Sequence, residues 1–179
     1  GMVLGLMALT DKFVPIFYGK GYDEVITLIK ILSPLIIIIG ISNCLGSQYY
    51  NPAGLRNRSA KFIIAGACTN LILNLILIPN FGARGAAVAT IIAELTITML
   101  YLKRCDGFYS FRLLLKSAWK KIIAGVGMII IISLLNLLNI GDLGMLILQV
   151  SVGVLVYMTI LFMIKDEFVV ETFNQLRKK

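Results

Sequence analysis

Two long apolar runs joined by a short turn constrain this chain more than any other feature. They occupy about Ala60 to Ile78 and about Gly85 to Leu102, and the turn between them reads IPNFGARG. Each run is close to the roughly 20 apolar residues that a helix needs to cross a hydrocarbon core about 30 Å thick. The stretch from Ser59 to Arg104 is therefore predicted to be a helical hairpin in a lipid bilayer.

The composition extends this interpretation to the whole chain. Of the 179 residues, 59% are hydrophobic and 15% are charged, and the mean hydropathy is +0.91. These values are typical of a polytopic membrane protein. The predicted fold is all-α, a transmembrane helix bundle with five complete spans and one partial span. The spans are expected at about 2–18 (partial), 25–45, 60–78, 85–102, 119–139 and 143–164.

Three local features refine this list of spans. Pro34 is expected to bend the 25–45 span at or before Ser33, because proline removes one helical hydrogen bond. The segment GSQYYNPAGLRNR, from Gly46 to Arg58, is predicted to be a polar turn. Since the chain begins at Gly1 and its first apolar run is short and interrupted, we expect a fragment that lacks the preceding part of the protein.

The basic residues are divided unevenly between the two sets of alternating turns. Thirteen of the 17 lysines and arginines fall in the 56–61 turn, the 103–121 segment and the 165–179 tail. Cytoplasmic loops carry the excess of lysine and arginine, so the C-terminus is predicted to be cytoplasmic and the IPNFGARG turn external. The formal charge of +8 then reflects lipid headgroups, and no nucleic acid partner is expected.

Polar side chains within the apolar runs are the candidate residues of a substrate cavity. Asn70 and Asn74 share a helix face with Gly66, and they either hydrogen-bond across a helix contact or touch a substrate. Glu94 would cost about 2.5 to 3.5 kcal/mol near the middle of a span. It is either a structural hydrogen-bonding group or a group that acts in transport or ion coupling. Lys30 either reaches the membrane surface or faces the cavity.

The stretch over 103–121 is amphipathic and basic, and its 103–118 part is predicted to be a cytoplasmic interfacial segment. Arg112, Lys116 and Lys120 recur on one face, and aromatic and leucine side chains fall on the other. This spacing favours a cytoplasmic interfacial helix whose cations contact anionic lipid headgroups. The alternative is a solvated basic loop.

Nothing in the sequence is typical of catalysis or metal binding. The chain has no histidine, no nucleophile paired with a base and no glycine-rich phosphate loop before a helix. Its three cysteines lack the spacing of a metal site or a disulfide framework. We therefore predict no enzyme activity, no metal and no cofactor.

The hairpin sequence NLILNLILIPNFGARGAAVATIIAE closely resembles the signature hairpin of bacterial oligosaccharide-lipid flippases. These form the polysaccharide transporter branch of the multidrug/oligosaccharidyl-lipid/polysaccharide exporter superfamily. The segment YGKGYDEVITLIKILSPLIIIIGISNCLGSQYYNP looks like the helices that precede that hairpin. The resemblance covers about Phe17 to Arg104, and beyond Arg104 it rests on the number of spans and on apolar composition.

The resemblance implies that this chain is the C-terminal lobe of a two-lobed transporter. Such proteins move undecaprenyl-pyrophosphate-linked repeat units of O-antigen or capsule across the bacterial cytoplasmic (inner) membrane by alternating access. The implied partners are the lipid-linked oligosaccharide, anionic membrane lipids, and a polysaccharide polymerase with its chain-length regulator. Lys30, Asn70, Asn74 and Glu94 are the intramembrane residues expected to line the sugar route.

Two other functions remain open at this point. A cation-coupled exporter of drugs or small molecules, from the same superfamily, would have aromatic rather than polar cavity walls. A non-transporting scaffold for glycan-assembly enzymes would depend on its basic cytoplasmic segment and would tolerate replacement of Asn74 and Glu94.

Overall fold

The computed structural model describes residues 1–19, 21–105, 111–136 and 141–166, with the backbone alone for 111–117. Every element in these ranges is helical. The elements are α1 (Met2–Tyr18), α2 (Asp23–Leu32), α3 (Leu35–Leu45), a π-helical turn (Gly46–Tyr50), α4 (Arg56–Lys103), α5 (Phe111–Leu135) and α6 (Asp142–Met163). Several predicted features lie outside the described residues. They are the tail over 167–179, the 106–110 part of the basic segment, the 137–140 turn and the side chains of Arg112 and Lys116.

Four helical stretches in the described ranges are long and apolar enough to cross a membrane. They are Asp23–Tyr50, Arg56–Lys103, Ala118–Leu135 and Asp142–Met163. Between 11% and 28% of the most apolar window of each stretch is buried, so most of the apolar side chains face outward. Outward-facing apolar helices require a lipid environment. The predicted all-α polytopic membrane helix bundle is thereby confirmed.

The longest helix, α4, folds back on itself at Gly82. This residue has φ 54° and ψ −134°, a left-handed conformation that glycine adopts at low cost. Pro79, three residues earlier, weakens the helix at the same place because it has no N–H to donate. The reversal divides α4 into a first arm (residues 56–81) and a second arm (residues 83–103).

The two arms of α4 pack antiparallel and very closely. A Cβ atom at Gly85 would overlap the carbonyl oxygen of Leu77, and one at Gly66 would lie 3.3 Å from the carbonyl oxygen of Ala93. Ala89 and Ala93, one and two turns beyond Gly85, are also buried. Because small residues let two backbones approach, this stripe sets the register of the hairpin.

The predicted bend near Pro34 is present. Helix α2 ends at Leu32 and α3 begins at Leu35. The hydroxyl of Ser33 donates to the carbonyl oxygen of Ile29 at 2.6 Å, while the helical bonds of α3 restart from the carbonyl oxygen of Pro34. The segment thus continues as one interrupted apolar stretch to Tyr50.

The prediction of a polar turn over Gly46–Arg58 was wrong at both ends. Residues Gly46–Tyr50 form a π-helical turn that continues α3, with the amide of Asn51 donating to the carbonyl oxygen of Gly46 at 3.0 Å. Helix α4 already begins at Arg56. Although this stretch has a polar sequence, Tyr50 within it is fully buried. Burial of the Tyr50 ring favours continuation of the helix over a solvated turn.

The chain forms two compact units, Glu24–Leu113 and Gly1–Asp23 with Leu114–Lys179. In the Glu24–Leu113 unit, the hydroxyl of Thr98 on the second arm donates to the carbonyl oxygen of Ile38 on α3, at 3.2 Å. Arg84 beside the α4 reversal lies 3.8 Å from Glu24 at the start of α2. Helix α3 therefore runs alongside the hairpin, and α2 begins near the reversal.

The other unit packs α1, α5 and α6 together. Helices α5 and α6 run antiparallel, since a Cβ atom at Gly127 would lie 2.6 Å from Ile160 and one at Gly153 would lie 3.0 Å from Ile132. Helix α1 contacts α6 and also reaches α5, where a Cβ atom at Gly5 would lie 3.6 Å from Met128. Small residues thus allow close packing here as well.

The basic segment and the following span form one helix in their described parts. Helix α5 begins at Phe111 and runs without interruption to Leu135, whereas the sequence suggested an interfacial segment to 118 and a separate span to 139. The Nζ of Lys120 donates to the carbonyl oxygen of Lys165 at 3.0 Å. Because Lys165 follows the end of α6, this bond links α5 to the C-terminal end of α6.

A comparison of two helical glycines tests the close packing of the hairpin. We expect Gly85→Ala to lower the free energy of unfolding by about 1–3 kcal/mol, because the added methyl group overlaps backbone that cannot easily move. Gly40→Ala in α3, where nothing lies within 4 Å of the Cβ position, should be neutral or stabilising. Thermal unfolding in detergent micelles measures both variants. Equal stability of the two would contradict the packing described here.

Candidate functional site

A cluster of three aromatic rings anchors the end of the Glu24–Leu113 unit away from the α4 reversal. Tyr50, Phe62 and Tyr101 are all buried, with ring centroids 4.8–5.7 Å apart in edge-to-face arrangements. The hydroxyl of Tyr50 donates to the carbonyl oxygen of Tyr101 at 3.1 Å. Each edge-to-face contact between two aromatic rings stabilises the fold by about 0.5–1.5 kcal/mol beyond the effect of the area it buries. The cluster fixes the π-helical turn against both arms of α4.

The hydroxyl groups of Ser59 and Tyr101 join the two arms directly. Their oxygen atoms lie 2.5 Å apart, and both side chains are buried. This bond lies at the inner wall of a polar groove of about 540 Å³ between α3, the π-helical turn and α4. The polar residues that line the groove are Ser42, Asn43, Ser47, Asn51, Ser59, Glu94 and Tyr101.

The groove combines these polar groups with the apolar side chains of Ile39, Ile63 and Ile97. Among its lining residues in the described part of the chain, Glu94 is the one carboxylate and none is a lysine or an arginine. The other polar groups are hydroxyls and amides, which donate and accept hydrogen bonds. Such a lining suits a ligand that presents many uncharged hydrogen-bonding groups.

The predicted pair Asn70 and Asn74 does not line this groove. Both side chains are half-buried on the first arm, and Asn74 Nδ2 donates to Asn70 Oδ1 at 2.7 Å. The bond runs along one helix rather than across a helix contact. Asn74 Oδ1 is buried and has no hydrogen-bond partner among the described residues.

Lys30 also lies apart from Glu94. It is half-buried in the last turn of α2 and does not line the groove. Of the four predicted cavity residues, the structure therefore brings the two asparagines together and gives Glu94 a polar groove.

Sequence reasoning missed most of the groove and one further buried polar residue. The sequence did not identify Ser42, Ser59 and Tyr101 as candidate site residues. Serine and tyrosine at the ends of apolar runs are common at membrane interfaces. Gln149 on α6 is 1% exposed, and its Nε2 donates to Asn136 Oδ1 at 2.8 Å. A glutamine inside an uninterrupted apolar run was a signal that could have found it.

The described residues contain no group of three or more histidine, cysteine, aspartate or glutamate side chains that could hold a metal ion.

Comparison with known proteins finds membrane proteins, two of which are named for glycan or O-antigen transport. The chain is 29% identical over 163 residues, 87% of its length, to a protein of Haloferax volcanii named "Probable low-salt glycan biosynthesis flippase". It is 33% identical over 89 residues, 50% of its length, to the "Putative O-antigen transporter" of Escherichia coli K12. It is 36% identical over 78 residues, 44% of its length, to an uncharacterized membrane protein of Methanocaldococcus jannaschii. No family model and no solved structure matches the chain.

The matched regions are a minor part of these relatives. They cover 33%, 21% and 15% of the three proteins, so the chain spans at most about a third of the curated relatives it matches. Two of the three relatives are named as a flippase and a transporter, and the third is named as a membrane protein. The similarity supports a flippase-like, multi-pass membrane protein.

A double-mutant cycle tests the hydroxyl bond at the groove wall. We expect Ser59→Ala and Tyr101→Phe to be coupled by about 0.5–1.5 kcal/mol, since either change alone leaves a buried hydroxyl without its partner. The control cycle pairs Tyr101→Phe with Ser42→Ala, whose hydroxyl bonds to the carbonyl oxygen of Ile39 instead. That cycle should be additive. Equilibrium unfolding in micelles measures both, and additivity of the first cycle would refute the bond.

Proposed function

We propose that this chain is part of a flippase that moves a lipid-linked oligosaccharide across the membrane for the assembly of a surface glycan. The carrier is a polyprenyl pyrophosphate, of the undecaprenyl type in bacteria. The cargo is a repeat unit of an O-antigen or a capsule, and the membrane is the cytoplasmic (inner) membrane. A polysaccharide polymerase and its chain-length regulator would act on the exported unit.

The polar groove is the observation that carries this proposal. An oligosaccharide presents many hydroxyl groups, and each needs a hydrogen-bond partner when it leaves water. The groove offers hydroxyl, amide and carboxylate groups in a protein whose helices otherwise expose apolar side chains. Tyr101 is the one aromatic residue in its lining, and its side chain is 4% exposed. Polar rather than aromatic walls favour a glycan over a typical drug.

Glu94 is the group that we expect to act on the sugar. It lies nine residues before Lys103 on the second arm, which at 1.5 Å per residue is about 13 Å from the helix end. A carboxylate accepts two or more hydrogen bonds from neighbouring hydroxyl groups and binds them more strongly than a neutral acceptor does. In this role Glu94 holds the sugar during its passage.

Alternating access would require a second lobe. We propose that the chain is the C-terminal lobe, since it corresponds to at most about a third of the relatives it resembles. The groove would then be one wall of a larger cavity between two lobes. Exposure of that cavity to each side in turn would carry the sugar across the bilayer.

The orientation of the lobe is a separate proposal with its own test. We expect the α4 reversal to be external and the turn before α4 to be cytoplasmic. In a variant whose cysteines (Cys44, Cys68, Cys105) are replaced by alanine, Phe81→Cys should react with a membrane-impermeant maleimide on intact cells. Ala53→Cys should react only after lysis, and both positions are exposed. The reverse labelling pattern would invert the proposed orientation.

Replacement of Glu94 tests the transport role. A chimera in which this chain replaces the matched segment of a full-length flippase should restore surface polysaccharide in a flippase-deficient strain. We expect Glu94→Gln in the chimera to reduce surface polymer by about tenfold, because loss of a charged hydrogen bond costs about 1.5–3 kcal/mol. Quantitative immunoblotting of surface polysaccharide measures the loss.

Glu24→Gln is the matched control for that experiment. Glu24 is an exposed carboxylate paired with Arg84 at 3.8 Å, outside the groove, so polymer should stay at the level of the unmodified chimera. A chimera that inserts stably and makes no polymer would argue against the flippase. Full polymer with Glu94→Gln would remove Glu94 from the sugar route.

A further inference from the structure

A cleft lined by cations lies at the end of the hairpin opposite the α4 reversal. Arg58 and Lys61 on the first arm, together with Arg104 just after the second arm, line a cavity of about 570 Å³. Gly54, Leu55, Asn57 and Phe62 also line this cavity, and none of its lining residues in the described part of the chain is acidic. Three positive charges thus surround one volume.

The antiparallel register of the two arms brings these charges together. Arg58 and Lys61 are three residues apart on the first arm, which places them on one helix face. The bond between Ser59 and Tyr101 holds the two arm ends side by side, so Arg58 and Arg104 line one cleft although their positions differ by 46 in the sequence. Phe62, which lines the cleft, is held in place because it belongs to the buried aromatic cluster.

The charges around the cleft favour the binding of an anion. The N-terminus of α4 carries Arg56 and Arg58, has no acidic residue in its first turn, and receives no side-chain cap from Leu55. A helix N-terminus is itself the positive end of the helix dipole, so nearby cations destabilise it. The ion pairs given for the described residues, Arg84–Glu24 and Lys121–Asp166, involve none of the cleft cations.

We propose that the cleft binds the phosphate ester group of a membrane lipid. Arginine contacts two phosphate oxygens at once and lysine adds a point charge. The amide groups in the first turn of α4 provide further donors of the kind that bind phosphate at helix N-termini. The bound group therefore neutralises the cleft cations and supplies the missing cap.

Two membrane lipids offer this chemistry, a glycerophospholipid headgroup and the pyrophosphate of a polyprenyl carrier. The proposal does not depend on the proposed transport function, because a phospholipid headgroup would satisfy it in a protein of any function. A general excess of basic residues on the cytoplasmic side would not explain why three particular cations line one cleft. Lys103 belongs to the same excess and does not line the cleft.

Calorimetric titration of the purified chain in a nonionic detergent tests the site. The probes are farnesyl pyrophosphate, short-chain phosphatidylglycerol and, as a neutral control, farnesol. We expect the triple variant Arg58→Gln/Lys61→Gln/Arg104→Gln to bind both phosphate probes at least about tenfold more weakly, since each charged contact contributes more than 1 kcal/mol. The matched variant Lys12→Gln/Arg84→Gln/Lys103→Gln removes the same charge outside the cleft and should keep nearly full affinity.

Several results would overturn the proposal. They are unchanged binding by the cleft variant, an equal loss in the matched variant, or equally tight binding of farnesol. Far-UV circular dichroism verifies folding, and the single variant Lys61→Gln, at an exposed position, replaces the triple variant if that one misfolds. Tighter binding of farnesyl pyrophosphate identifies the polyprenyl carrier, whereas equal binding identifies a general phospholipid site. Failure here leaves the polymer assay on Glu94 unaffected.

Discussion

The close approach of the two arms of α4 is the constraint on which the Glu24–Leu113 unit depends. In a bilayer, lipid tails are as apolar as leucine, so helices associate through packing and polar contacts rather than through the hydrophobic effect. Gly66 and Gly85 remove the side chains that would keep the arms apart. The resulting register decides which residues meet at the far end. Ser59 contacts Tyr101, and Arg58 lines the same cleft as Arg104, because the arms lie at this separation.

The aromatic cluster then divides that end of the unit into two chemically distinct surfaces. Tyr101 lines the polar groove and Phe62 lines the cationic cleft, and their ring centroids are 5.4 Å apart. Among the described residues, those that line the groove include a carboxylate and no cation, and those that line the cleft include cations and no carboxylate. A ligand with uncharged hydroxyl groups would therefore prefer the groove. A ligand with phosphate groups would prefer the cleft on the other side of the aromatic cluster.

Much of the fold could be predicted because it depends on patterns that a sequence displays directly. Span length, the Pro79–Gly82 reversal and the Pro34 interruption follow from apolar runs and from the two residues that disturb helices. The π-helical turn could not be predicted in the same way. Its residues, GSQYY, have the composition of a polar turn, and only the buried position of Tyr50 reveals why the helix continues. The extent of α5 was missed for a related reason, since basic residues do not end a helix by themselves.

The candidate site was only partly predictable, because its members are distant in sequence. Glu94 could be found from its cost inside a span, but the hydroxyl and amide groups around it come from α3, the π-helical turn and both arms of α4. The sequence identified Arg58 and Lys61 only as basic residues that indicate the cytoplasmic side. They line one cleft with Arg104 because of the register of the two arms of α4. Natural sequences depart from local preferences mainly where function requires it. A carboxylate within a span and arginines at an uncapped helix N-terminus are two such departures, and both lie beside the same aromatic anchor.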